Sequence, residues 1–182
     1  MNKKSGERTL LASVLMSSPG PLVVGIGLFF GKSSTQLADF IRRSAELIAI
    51  LLSFIIYRKT NKDDSFDAAR KHRLEQIVNR SVGAAMCLSG IAMLLVAILF
   101  PSEEKGNVIP GLIIAILGVI TNTWFYLRYR KLNQKMPNAI LAAQRNLYRA
   151  KFVVDTCVMI SLLVVAIAPT SSAAYYMDII GS

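Results

Sequence analysis

The stretch DFIRRSAELIAILLSFIIY, residues 39–57, sets a cluster of charged side chains directly before a long apolar run. The charged residues are Asp39, Arg42, Arg43 and Glu46. An apolar helix of roughly 20 residues is long enough to cross the hydrocarbon core of a bilayer. Ionisable residues inside such a helix are costly, and they usually mark an ion or substrate path or an ion pair inside a helix bundle. The stretch therefore predicts a membrane-spanning helix that turns polar groups toward other helices.

The composition of the whole chain favours a membrane protein. Hydrophobic residues make up 53% of the 182, the mean hydropathy is +0.47, and the formal net charge is +10. A soluble globular domain rarely combines such apolarity with so large a charge. We therefore expect an all-α integral membrane protein whose first partner is the lipid bilayer.

Five segments of the chain are predicted to cross the bilayer. Three are free of charged residues, and two, including the opening stretch, carry charges. Pro19 and Pro21 should break or kink the first segment, because proline cannot donate a helical backbone hydrogen bond. The predicted spans, within a single transmembrane domain of residues 1–182, are 9–31, 33–57, 81–102, 106–127 and 138–168, with cytoplasmic loops at 58–80 and 128–137.

The basic residues lie mainly on one side of these spans. Of the 21 lysines and arginines, all except Lys32, Arg42, Arg43 and Lys105 fall at the N-terminus, after the second span, or after the fourth span and at the start of the fifth. The positive-inside rule then predicts a multi-pass protein of the plasma membrane with a cytoplasmic N-terminus. Basic loops can also bind anionic lipid or nucleic acid, but no nucleic-acid-binding motif is present and no such partner is predicted.

Residues typical of soluble enzymes are scarce. The single histidine, His72, lies in a charged segment, and Cys87 and Cys157 lie in separate apolar spans without a metal-binding spacing. The glycines form neither a phosphate-binding loop nor a dinucleotide motif. We expect no enzymatic activity and no resident cofactor, so that a divalent metal would enter only as a substrate.

Two carboxylates, Glu46 and Asp155, are predicted at similar depth near the bilayer midplane. Glu46 lies about 12 residues from Arg58 and about 14 from Lys32, which at ~1.5 Å per residue is roughly 18–21 Å from either end of its span. Asp155 lies about 14 residues before Pro169, or ~21 Å from the outer end of its own span. Both are candidate ion-binding groups.

The charges inside the spans follow a repeated pattern. A basic residue precedes each midplane carboxylate by four positions, on the same helix face. Three acids balance three bases, which favours a self-compensated salt-bridge network over an open metal site with surplus ligands. Asn122 adds a polar group that bonds another helix or contacts a substrate. The interior charged residues are Asp39, Arg42, Arg43, Glu46, Lys151 and Asp155.

The segment SSTQLADFIRRSAELIAILLSFIIYRKT, residues 33–60, resembles the second transmembrane helix of the cation diffusion facilitator, or cation efflux, family. That family's motif runs Ser, Leu-Ala-Asp, then His or Asp, and Asp four residues later. Here residues 37–39 fit the start of the motif, Arg42 holds the first metal-ligand position and Glu46 the second.

The fourth and fifth helices of the family have counterparts as well. GVITNTWFYLRYRK, residues 118–131, resembles the fourth helix, and NAILAAQRNLYRAKFVVDTCV, residues 138–158, resembles the fifth. In the fifth helix Lys151 stands for the family's His and Asp155 for its Asp, while another register would place Asn146 and Ala150 there. YYMDIIGS, residues 175–182, is similar to the entrance of a sixth helix, and we expect the chain to lack the rest of that helix and the family's C-terminal domain.

The resemblance implies a cation-efflux-like helical bundle that forms homodimers. Family members export divalent metals such as zinc or manganese in exchange for protons. The resemblance makes Glu46 and Asp155 the candidate metal ligands. The predicted substrate- or ion-binding residues are Asp39, Arg42, Glu46, Asn122, Lys151 and Asp155.

Three functions fit these residues. The first is a proton-coupled cation transporter that works by alternating access, with Glu46 and Asp155 as ion sites. The second is a non-transporting interaction or regulatory relative whose interior charges form fixed salt bridges. The third is a carrier of an anionic or zwitterionic substrate, bound by the basic residues Arg42, Arg43 and Lys151.

Overall fold

A computed structural model describes residues 3–30, 34–62, 67–99 and 109–167. All regular secondary structure in these ranges is helical, which confirms the all-α class. Within them the helices are α1 (Lys3–Ser17), α2 (Pro19–Phe30), α3 (Ser34–Lys62), α4 (Ala68–Leu99), α5 (Ile109–Lys135) and α6 (Ala139–Ile167). The predicted start of a sixth span, residues 175–182, lies outside the described residues.

The first predicted span is divided into two helices at Ser18. The Ser18 amide still donates to the Val14 carbonyl at 2.9 Å, and Pro19 opens the next helix. Proline suits the first position of a helix, because the amide it lacks would have no partner there. The predicted break is confirmed.

The helices extend well beyond the predicted spans into the segments expected to connect them. Helix α3 continues to Lys62, α4 already begins at Ala68, and α5 continues to Lys135. Most of the predicted loops 58–80 and 128–137 is therefore helical. Lysine, arginine, glutamate and glutamine are good helix formers, so the charges that end an apolar run do not end the helix. That these segments face the cytoplasm stays a prediction.

The bundle is organised around α3 and α6. Helix α5 lies along α6, α4 lies along α3 and also contacts α6, and α1 and α2 both contact α3. Phe125 and Tyr129 of α5 stack with Tyr148 of α6, at ring-centroid distances of 4.8 and 5.5 Å from Tyr148. These rings are buried and hold α5 against α6.

Buried polar contacts join the same helices. The hydroxyls of Ser13 in α1 and Tyr129 in α5 lie 2.8 Å apart. The Gln144 amide nitrogen in α6 donates to the Ser53 hydroxyl in α3 at 2.7 Å. Hydrogen bonds of this kind link helices where apolar surface alone gives little preference between neighbours. Together with the aromatic stack they set the relative positions of α1, α3, α5 and α6.

The outer surface of the helices is strongly apolar. Leu22, Val23, Ile114 and Ile120 are each about 60% exposed or more. Such a surface is unfavourable in water and is covered by lipid chains in a membrane. In the described part of the chain, Lys4–Ile26 and Leu112–Lys135 are long and apolar enough to cross a bilayer. The crossing of all five predicted segments stays a prediction.

Candidate functional site

A cavity of about 420 Å³ lies among α1, α2, α3, α5 and α6. The side chain of Asp39 lies outside the described residues. The other predicted binding residues all line this cavity, although they come from three helices; they are Arg42, Glu46, Asn122, Lys151 and Asp155. The structure therefore brings together side chains that the sequence separates by more than a hundred positions.

An ion pair joins the two sides of the cavity. The Lys151 ammonium nitrogen in α6 lies 2.8 Å from Glu46 Oε2 in α3, and the two side chains are only 20% and 9% exposed. The same ammonium lies 5.5 Å from the centre of the Tyr148 ring, a distance typical of a cation–π contact. Sequence spacing suggested partners within a single helix, but this pair links two helices. A charge-assisted contact so little exposed is expected to be strong.

The second carboxylate, Asp155, is held by α5. The Asn122 amide nitrogen donates to Asp155 Oδ2 at 2.5 Å. One turn earlier on the same face lies Gly118, where an added Cβ would lie 2.5 Å from that oxygen. The missing side chain at position 118 thus leaves the space in which the carboxylate sits.

Asn122 was predicted from the sequence, but Gly118 was not. The signal available in the sequence was the spacing of four residues, which places positions 118 and 122 on one face of a helix. The aromatic ring of Tyr148, which lines the cavity beside Lys151, was not predicted either.

The described charges of the lining are three basic and two acidic groups. The bases are Arg42, Arg43 and Lys151, and the acids are Glu46 and Asp155. Within α6 and across to α3, the Asp155 carboxylate interacts electrostatically with Arg42, Lys151 and Glu46. The Asp155 carboxylate is therefore sensitive to changes in these three charges.

The described lining of the cavity offers oxygen atoms of the kind that cations prefer, but only two of its groups are carboxylates. No group of three or more His, Cys, Asp or Glu side chains converges anywhere in the part of the chain that the structure describes. The candidate metal ligands Glu46 and Asp155 do line the same cavity, with Asn122 and Thr121 adding oxygen atoms. Carboxylate and amide oxygens suit hard cations.

Comparison with known families shows the family of the chain. Residues 10–182 match the cation efflux transmembrane domain. The match covers most of the chain, and the protein therefore belongs to the cation efflux family, which confirms the resemblance drawn from the sequence. Membership makes it an integral membrane protein of a family of cation transporters rather than of enzymes. Comparisons with curated proteins and with solved structures found no match.

Proposed function

We propose that the protein transports a cation through the cavity between α3, α5 and α6, and that this cation is a divalent metal, as it is for other members of the family. The observation that supports this most is that one carboxylate from α3 and one from α6 line a single cavity, Glu46 and Asp155. Carboxylates in membrane helices are costly, and they are expected where an ion passes.

The proposed mechanism is alternating access with proton coupling. Glu46 on α3 and Asp155 on α6 bind the cation, and these two helices rock so that the cavity opens first to one side of the membrane and then to the other. Protonation of the carboxylates weakens their hold on the cation and drives its release, since a neutral carboxyl is a poorer cation ligand.

The proposal is tested by cation flux in proteoliposomes. Glu46→Gln keeps the shape of the side chain and removes its charge, and flux of Mn²⁺ or Zn²⁺ is expected to fall to the level of protein-free vesicles. Glu75→Gln is the matched control, because Glu75 lies on α4 and does not line the cavity. Unchanged flux in folded Glu46→Gln protein would show that the cavity is not the path.

A second candidate is a non-transporting relative with a fixed salt-bridge network. The 2.8 Å contact between Lys151 and Glu46 favours it, because the pair ties two helices together. Removing one partner of a buried ion pair typically costs about 3–5 kcal/mol. Glu46→Gln and Lys151→Gln should then each destabilise the fold while the double variant recovers part of the loss; additive effects and measurable wild-type flux would both contradict this candidate.

A third candidate is a carrier of an anionic or zwitterionic substrate. The described lining holds three basic side chains against two acidic ones. Thermal stabilisation by small anions, without any effect of Mn²⁺ or Zn²⁺, would single it out.

The proposed transporter is a homodimer in the plasma membrane with its N-terminus in the cytoplasm. The family resemblance supports the dimer, and the distribution of basic residues supports the orientation. Light scattering in detergent measures the mass of the assembly. Protease access to an N-terminal tag in right-side-out cells or vesicles measures the orientation.

A further inference from the structure

The Lys151 ammonium lies where a cation bound by Glu46 would lie. Its nitrogen is 2.8 Å from Glu46 Oε2, inside a cavity that both side chains line. This distance is that of a charge-assisted hydrogen bond. Hard divalent cations contact carboxylate oxygens at about 2.0–2.6 Å. The ammonium thus occupies nearly the same position beside this carboxylate as a substrate cation would.

A divalent cation and the Lys151 ammonium cannot both bind Glu46 without strong mutual repulsion. Around one carboxylate their centres would lie only a few ångströms apart, in a site where the two side chains are 20% and 9% exposed. Coulomb repulsion at such distances is poorly screened away from water. Binding of the cation therefore favours departure of the ammonium from Glu46.

The ammonium already has a second favourable contact, which it can keep when it leaves Glu46. The Tyr148 ring lies on the same helix, with its centre 5.5 Å from the Lys151 nitrogen. An aromatic face stabilises a lysine ammonium, and the flexible four-carbon stem of lysine allows the charge to move without any movement of the backbone.

We propose that Lys151 is a tethered competitor of the transported cation: its ammonium occupies Glu46 in the empty cavity and is displaced toward Tyr148 when a divalent cation binds. Lys151 is thus a specificity-determining residue that lowers the affinity of the cavity for divalent metals and keeps Glu46 compensated while the cavity is empty. The proposal rests on the proposed function, because it assumes that a cation binds Glu46.

The test compares three forms of the full-length protein with Mn²⁺ and Zn²⁺ as probes. Lys151→Met removes the competing charge with little loss of volume, and we expect it to tighten metal binding by about tenfold or more. Lys151→Arg keeps the positive charge, and its guanidinium can donate two N–H groups to the carboxylate. Because this competitor binds Glu46 more tightly, we expect metal binding weaker than in wild type. Lys131→Met, on the exposed part of α5, is the control and should leave binding unchanged.

Calorimetric titration gives the affinities, and thermal unfolding with and without metal gives an independent readout. Lys151→Met removes the ion pair with Glu46, so that this variant should unfold at lower temperature than wild type without metal and be stabilised more than wild type by Mn²⁺. Metal affinity that is highest in Lys151→Met, intermediate in wild type and lowest in Lys151→Arg supports the proposal. A purely structural lysine would give weaker binding in Lys151→Met than in wild type, which would overturn it.

The outcomes separate this inference from the proposed function. Wild-type protein that binds and transports Mn²⁺ or Zn²⁺, with equal or weaker binding in Lys151→Met, overturns the tethered competitor and leaves cation transport in place. Folded wild-type and Lys151→Met proteins that both fail to bind metal overturn both proposals. If Lys151→Met does not fold, Lys151→Arg decides, since metal binding as tight as in wild type contradicts competition.

Discussion

Substitution of Gly118 by alanine should displace the Asp155 carboxylate although no charged residue is replaced. A Cβ at position 118 would lie 2.5 Å from Asp155 Oδ2, so the carboxylate must move by about 1 Å to reach an ordinary contact of ~3.5 Å. Oδ2 is also the atom that accepts the 2.5 Å hydrogen bond from Asn122. The displacement therefore lengthens or breaks this bond.

The expected change in stability follows from two opposing effects. Loss of a hydrogen bond to a charged group costs about 1.5–3 kcal/mol, while replacement of glycine by alanine within a helix gains roughly 1 kcal/mol. The net free energy of unfolding should fall by about 0.5–2 kcal/mol. Metal affinity should fall as well, because the Asp155 carboxylate is displaced within the cavity that Glu46 also lines.

Thermal unfolding in detergent and titration with Mn²⁺ measure the two effects. Gly83→Ala and Gly90→Ala in α4 are matched controls, since a Cβ at either position meets no atom within 4 Å. Both controls should be as stable as wild type or more stable, with unchanged metal affinity. If Gly118→Ala behaves like these controls, the close approach between Gly118 and Asp155 plays no part in the site.

Two further substitutions test the packing of the bundle by thermal unfolding. Ser53→Ala removes the acceptor of the 2.7 Å hydrogen bond from fully buried Gln144 and should lower the free energy of unfolding by about 1–2 kcal/mol. Adding Gln144→Leu to this variant should recover part of the lost stability. Fully additive effects in the double variant would contradict the pairing. Arg58→Met breaks the 3.3 Å salt bridge to Glu7, whose partners are 51% and 30% exposed, and should cost no more than about 0.5 kcal/mol because water screens the pair; a loss as large as that of Ser53→Ala would contradict this.

The main features of the fold could be predicted because they depend on local patterns. Apolar segments of membrane-spanning length predicted the helices, and Pro19 predicted the break at Ser18. The ends of the helices could not be predicted from apolarity. Charged residues such as those before Lys62 end the apolar, membrane-spanning part of a helix, but they are good helix formers and the helix continues through them.

Several residues that line the cavity were predicted from the sequence, but their contacts were not. Helix geometry predicted that Glu46 and Asp155 would lie at similar depth in the membrane, and in the structure both line one cavity. Spacing within one helix, however, shows only neighbours on that helix. The contact between Lys151 and Glu46 and the space at Gly118 depend on how α3, α5 and α6 pack together, which no local pattern contains.

The most direct test of a cation path through this cavity is the flux of Mn²⁺ and Zn²⁺ into proteoliposomes that contain the Glu46→Gln/Asp155→Asn double variant. Wild-type protein should carry at least one of these ions faster than protein-free vesicles leak it. The double variant, checked for folding by thermal unfolding, should not exceed the leak. Equal flux through the wild-type protein and the folded double variant would contradict the account.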